Sequence, residues 1–203
     1  GLWTDINNYF TTYEDNIVTH NTHAGIKHEI SYDVLVTNNF SGYNGYQDYS
    51  WAWGSQIQIQ NSRNATVSGN IAIVPASSNG DGINVINQNR GNDPDTGLPY
   101  EALNNTFSNN TVWALSIADY WAGVSCDNCP SGSDLYNAMF STNVFHDNTY
   151  YVPSLGLNMY TKFNSYRTLA QIQAAGDEVG SIEIANLSGV PAIPSWPDND
   201  YII

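Results

Sequence analysis

Positive charge is what this sequence has least of. Its basic residues are Lys27, Arg63, Arg90, Lys162 and Arg167, against 19 acidic ones, and the formal net charge is −14 with a sequence pI of about 4.1. So few cations cannot follow a phosphate backbone, which argues against nucleic acid or an anionic membrane surface as partner. Charge of either sign is scarce, at 12% of residues. No apolar run is long enough to span a bilayer, and no signal-peptide pattern is recognisable. The chain opens on Gly1-Leu2-Trp3-Thr4-Asp5-Ile6, already strand-like and without an initiator Met, which reads as a processed product or a fragment. Cysteine is scarce too. Cys126 and Cys129 form a single C-x-x-C in a loop of Gly, Ser, Pro and Asp, with no second pair or His at zinc spacing. A local disulfide in an oxidising compartment is expected. A serine elbow, a phosphate loop and a dinucleotide fingerprint are all missing.

What the sequence does have is polar but uncharged: Asn, Ser, Thr, Gln, Gly and Tyr beside 41% hydrophobic residues. That composition suits an all-β protein with stacked hydrogen-bonding side chains. At 203 residues it makes one domain, or one plus an appendage. One short pattern recurs. Asn16, Asn39, Asn70, Asn110 and Asn148 each follow an Asp, Asn or Gly, and each has an apolar residue three places earlier (Tyr13, Val36, Val67, Phe107, Phe145). The anchors stand 23, 31, 40 and 38 residues apart. A repeat of that length with one fixed apolar and one fixed polar position marks a solenoid whose coils differ in their loops. Buried amides can hydrogen-bond up such a stack at the strand spacing of about 4.8 Å. Asn also tolerates the left-handed backbone of a sharp turn.

Another strand precedes each anchor: 1–6, 25–30, 56–61, 82–87 and, as a fifth, 114–119. Alternation puts Leu2, Ile26, Ile57, Ile83 and Leu115 on one face and Trp3, Lys27, Gln58, Asn84 and Ser116 on the other. Parallel strands usually need a helical crossover. None is recognisable between them, so the crossover is itself sheet and the fold expected is a right-handed parallel β-helix of about five rungs over 1–155. Longer loops fall at 41–55, 90–101 and 120–136. Beyond Tyr151 the Asn pattern stops. Ser165 to Gly176 reads as a short amphipathic helix, and 156–203 is assigned as a C-terminal cap and tail covering the last apolar coil. The N-terminal end shows no cap, so the expectation is that 1–155 is the C-terminal part of a longer solenoid, or that a preceding domain or a second copy stacks there.

The segments Gly1–Asn8, Gly25–Tyr32 and Gln88–Gly91 resemble the right-handed parallel β-helix proteins of the pectate-lyase-like superfamily, of the secreted bacterial and archaeal type. The resemblance implies a secreted or cell-surface protein whose working surface is the exposed face of the first sheet. Polysaccharide lyases, glycoside hydrolases, epimerases, adhesins and proteins without known chemistry share that fold. The clustered Arg and Lys of calcium-dependent pectate lyases are missing here, as are the neighbouring aspartates of polygalacturonases.

Up that face run Trp3 and Asp5, Lys27 and Glu29, Gln58 and Gln60, Asn84 and Ile86, with Gln88 and Arg90 at the edge. Asp5 and Glu29 occupy the same place in successive rungs, about 5 Å apart. They could act as acid and base or nucleophile, hold a calcium ion, or merely pair with Lys27. Trp51, Trp53, Tyr43, Tyr46 and Tyr49 offer aromatic surface for sugar rings, or pack their own loop onto the sheet. His28 alternates inward and reads as a core histidine. Asp93 and Asp95 resemble half of a calcium loop. No cofactor is required. The function expected is polysaccharide binding along this face, with cleavage by Asp5 and Glu29 while Lys27 or Arg90 steadies substrate charge, or else a non-enzymatic extracellular rod. Asn-x-Ser/Thr sites occur at Asn39, Asn64, Asn104, Asn109 and Asn186.

Overall fold

The computed structural model describes residues 1–47, 51–76, 80–117 and 120–195. Each of the first five passes of the chain lays down a strand in each of three sheets, and the sixth adds strands to the first and third only. The first pass is β1 (Leu2–Asp5), β2 (Thr11–Glu14) and β3 (Ile17–Thr19), and the second β4 (Ile26–Glu29), β5 (Val34–Thr37) and β6 (Phe40–Gly42). Then come β7 (Ser55–Gln60), β8 (Thr66–Ser68) and β9 (Ile71–Val74), followed by β10 (Asp81–Asn87), β11 (Thr106–Ser108) and β12 (Thr111–Ala114). The next pass is β13 (Ala122–Cys126), α1 (Asp134–Thr142), β14 (Val144–His146) and β15 (Thr149–Tyr151). Last are β16 (Tyr160–Lys162), β17 (Ser165–Arg167), α2 (Leu169–Ala174) and β18 (Ile182–Ile184). The sheets stack in the orders β1-β4-β7-β10-β13-β16-β17, β14-β11-β8-β5-β2 and β18-β15-β12-β9-β6-β3. Every neighbour is parallel except β16 and β17. This is an all-β, parallel, solenoid-like fold.

The asparagine repeat sets its register. Asn16 donates its amide to Asn39, Asn39 to Asn70 and Asn70 to Asn110, each at 2.9 Å, and Asn110 donates to Asn148 at 3.1 Å. Asn39, Asn70 and Asn110 also donate to the backbone carbonyl of the apolar residue in the preceding coil (Tyr13, Val36 and Val67), so buried polar groups find partners. The left-handed residue is the one before each anchor: Asp15, Asn38, Gly69, Asn109 and Asp147 all have positive φ. The apolar residues three places earlier face inward, and Phe107 stacks on Phe145 at 4.4 Å. A second amide column, missed by the repeat, runs from Asn21 to Asn44 at 2.8 Å and on to Gln56 at 3.0 Å.

Three expectations need correction. Ala114 still belongs to β12, paired with Val74, and the chain must cross back before it can rejoin the first sheet. The partners of Ile83 and Asn84 are therefore Ala122 and Gly123, not Leu115 and Ser116. Ala118 and Asp119 lie outside the described residues. Gly123 is required there, because a Cβ would sit 2.0 Å from the Thr161 carbonyl oxygen. Secondly, the 120–136 loop ends in helix α1, capped by Ser133, whose side chain accepts from the Tyr136 N–H. Its Met139 is buried in the main apolar core. Thirdly, Ser165 starts β17, and α2 is instead capped by a Thr168–Gln171 capping box. Parallel pairing also runs past Tyr151, through β13 to β16 and β15 to β18. Cys126 and Cys129 are disulfide-bonded.

Candidate functional site

Strand register brings the predicted carboxylates together: Trp3 pairs with Lys27, and Asp5 with Glu29. The next strand sets Gln58 beside Lys27 and Gln60 beside Glu29. What the alternation could not show is that much of this outward face is covered. Gln58, Gln60 and Asn84 are inaccessible to solvent. Residues 51 and 52 of the 41–55 loop pack beside them: Ala52 meets Ile86 and Tyr120, with Trp51 against the same cluster. Trp51 meets Trp53 edge to face and donates its indole N–H to Asn164 at 2.9 Å. Aromatic residues of that loop thus serve packing as well as surface. Tyr43 lies elsewhere, stacked on His20 at 5.4 Å against the outer residues of the third sheet, and Tyr49 lies outside the described residues.

Here the amide N–H groups donate along a row, while the Gln58 and Asn84 side-chain oxygens are buried without a hydrogen-bond partner. Gln58 donates to Gln60 at 2.8 Å, Gln60 to Gln88 at 3.1 Å, and Gln88 to Asp127 at 2.8 Å, while Asn84 donates to Ser55 at 3.1 Å. These four residues, expected to touch substrate, are a structural row with only Gln88 part-exposed.

The open part of the face is its N-terminal corner. Trp3 is 61% exposed. The Lys27 ammonium lies 5.2 Å from the Trp3 ring centroid and 5.3 Å from that of Trp53, a cation held between two π faces. Gly1, Leu2, Trp3, His23, Ala24, Lys27 and Trp53 line a cleft of about 590 Å³. Trp3, Lys27 and Trp53 were legible in the sequence. Gly1, His23 and Ala24 were not, because they flank the strands and carry no periodic signal, and alternation points Leu2 at the core rather than the cleft.

The two carboxylates differ in their surroundings. Glu29 is buried. Arg90 donates to its Oε1 at 2.6 Å, and Lys27 lies 2.6 Å from Oε2 as a charge contact without hydrogen-bond alignment. Two of the five basic residues thus converge on one carboxylate, which holds them in place and is shut off from a ligand. Asp5 is half-buried, its Oδ1 has no partner, and its carboxyl is pushed up by burial and by the neighbouring charge of Glu29. The two carboxylates are therefore unlike: Glu29 is held by two cations, and Asp5 is not.

Other candidates are placed plainly. His28 is buried, with Nδ1 2.7 Å from the Thr4 hydroxyl, which in turn accepts from the Tyr13 hydroxyl at 3.0 Å. Burial lowers its pKa to about 4. Asp93 is buried and used up internally, accepting from the Asp95 N–H at 2.9 Å and the Tyr32 hydroxyl at 2.8 Å, so the 93–97 segment is a self-bonded turn. Among the described residues no three His, Cys, Asp or Glu side chains are gathered to hold a metal ion, and no helix is long and apolar enough to cross a membrane. No protein-family model, curated protein or solved structure matches this chain.

Proposed function

We propose that the protein is a secreted carbohydrate-binding β-helix protein, right-handed, of about five rungs and of the pectate-lyase-like kind, that takes a polysaccharide at its Trp3–Lys27–Trp53 corner. The observation that carries this reading is the cation held between two accessible indoles above an apolar cleft, one strand position from a carboxyl with raised pKa. Indole faces stack on the C–H faces of sugars, and Lys27 and Arg90 supply hydrogen-bond donors for hydroxyl or carboxylate oxygens. If the bound chain is cleaved, Asp5 is the acid that protonates the leaving oxygen, and Glu29 keeps both cations in position.

The test is a glycan array followed by a polysaccharide panel scored for new reducing ends and unsaturated products. Trp3→Ala and Trp53→Ala should each weaken binding, and Asp5→Asn should stop cleavage while binding survives. Full glycan affinity in the Trp3→Ala, Trp53→Ala double variant would sink the reading.

A second reading is an extracellular rod. It is favoured by one observation: β1, β2 and β3 are edge strands of all three sheets at the same end. Such edges can pair with a further coil. A molar mass that stays monomeric at all concentrations in light scattering removes this reading.

A further inference from the structure

We propose that Tyr9 and Phe10, backed by Tyr32, form a second subsite that stacks a neutral sugar ring on the other side of Asp5 from Trp3. The inference rests on the carbohydrate reading above and extends it. Phe10 is 82% exposed and Tyr9 45%, the former the most exposed large hydrophobic side chain among the described residues. Tyr9 stacks on Tyr32 at 4.7 Å with planes 15° apart, which fixes one ring face against protein and leaves the other toward solvent. Phe10 lies at 6.3 Å from Tyr9, tilted 45°, so the two rings form a shallow corner.

The corner is built, not loose. Ile6, Asn7 and Phe10 hold left-handed backbone, which turns the chain sharply after β1. Asn8 donates to the Asp5 carbonyl at 2.7 Å. Asn7 accepts from the Tyr100 hydroxyl at 2.7 Å, and Tyr32 donates to Asp93 at 2.8 Å. Tyr100 and Asp93 belong to the 90–101 segment, the one that also sends Arg90 to Glu29. Both aromatic corners are therefore fixed to one frame with Asp5 between them in the chain. From Trp3 to Tyr9 is at most about 20 Å of extended backbone, a span suited to a short oligosaccharide.

Charge decides the kind of ring. Asp33, Asp93 and Asp95 all push the Tyr9 phenol upward in pKa after burial does, so the corner lies in negative potential. A uronate or sulfated unit would be repelled. A neutral ring can stack on Tyr9 without that repulsion and donate a hydroxyl to the Tyr9 phenol oxygen.

The experiment is calorimetric titration of the protein with cello-, xylo-, manno- and galacturono-oligosaccharides, from dimer to hexamer. In the series that the wild type binds, long members should bind more tightly than dimers. The Tyr9→Ala, Phe10→Ala double variant should lose about tenfold on the long members and nothing on the dimers, whereas Trp3→Ala weakens both. Both substituted side chains are exposed, and an unchanged thermal midpoint confirms the fold. Unchanged affinity of the double variant for the long members overturns the subsite while leaving the Trp3 corner standing. A loss confined to the galacturono series overturns the neutral-ring assignment. Absence of binding by every series, wild type included, brings down the carbohydrate reading itself and the subsite with it.

Discussion

Asp5 and Glu29 are register partners on adjacent parallel strands, yet only Glu29 is held by cations. The buried Glu29 joins strand β4 to Arg90 and fixes Lys27 between its two indoles. Asp5 keeps a buried oxygen without a hydrogen-bond partner, and burial pushes its carboxyl up.

Removing the two charges should therefore have opposite consequences. Glu29→Gln leaves two cations facing an amide and should cost about 3 kcal/mol of stability, as breaking a buried ion pair does. Asp5→Asn removes a carboxyl whose folded pKa is raised, hence one whose charge the folded state accommodates less well than the unfolded chain does, and should be neutral or mildly stabilising. Urea unfolding of both variants at pH 7 gives the comparison.

The amide column should be most sensitive in the middle. Asn70 accepts from Asn39 and donates to Val36 and Asn110, all buried. Asn70→Ala would leave several of these groups unpaired and should cost about 3 kcal/mol or more. Asn16 stands at the solvent end, and Asn16→Ala should cost about 1 kcal/mol. Equal losses at the two positions in chemical denaturation would contradict a column that is satisfied from its interior.

The column ends on a carboxylate. Asn148 donates at 3.2 Å to Glu178, which also accepts from Tyr150 and from Ser181. Burial raises Glu178 to about 7, against the lowering effect of those three donors. The unfolded chain gives up this proton near pH 4.5 and the folded chain near 7, so this group's contribution to stability falls as pH rises through that window. His28 works the other way. Its folded pKa is about 4 against 6.5 unfolded, so stability falls as pH drops from 6.5 to 4. The two slopes nearly cancel where the windows overlap, and each amounts to about 3 kcal/mol in full. Together these two groups should leave stability nearly unchanged between pH 4.5 and 6.5. Glu178→Gln should expose the His28 slope, with stability rising with pH, and His28→Leu the Glu178 slope, with stability falling. Urea midpoints across this range for the three proteins check the signs.

Much of this architecture was legible in the sequence for a physical reason. A parallel coil returns each residue to the same place, so Asn70 above Asn39 and Ile57 above Ile26 leave a trace at a fixed phase, and the Asp5–Glu29 pairing follows from it. Coverage leaves no such trace. The packing of Ala52 on Ile86 depends on an aperiodic loop, and so Gln58, Gln60 and Asn84 read as exposed. The shift from Leu115 to Ala122 has the same origin, since the crossing segment carries no period. Tyr9 and Phe10 follow the end of β1, beyond the reach of strand alternation, and only their exposure and the Tyr32 stack single them out.

The most direct test of the central claim is titration of a polysaccharide that the wild type binds, taken from the array screen, into the Trp3→Ala, Trp53→Ala double variant. Each stacked indole contributes about 1 kcal/mol, so the account predicts an affinity loss of tenfold or more with the thermal midpoint little changed. Wild-type affinity in that variant, or a screen in which the wild type binds no polysaccharide at all, would contradict it.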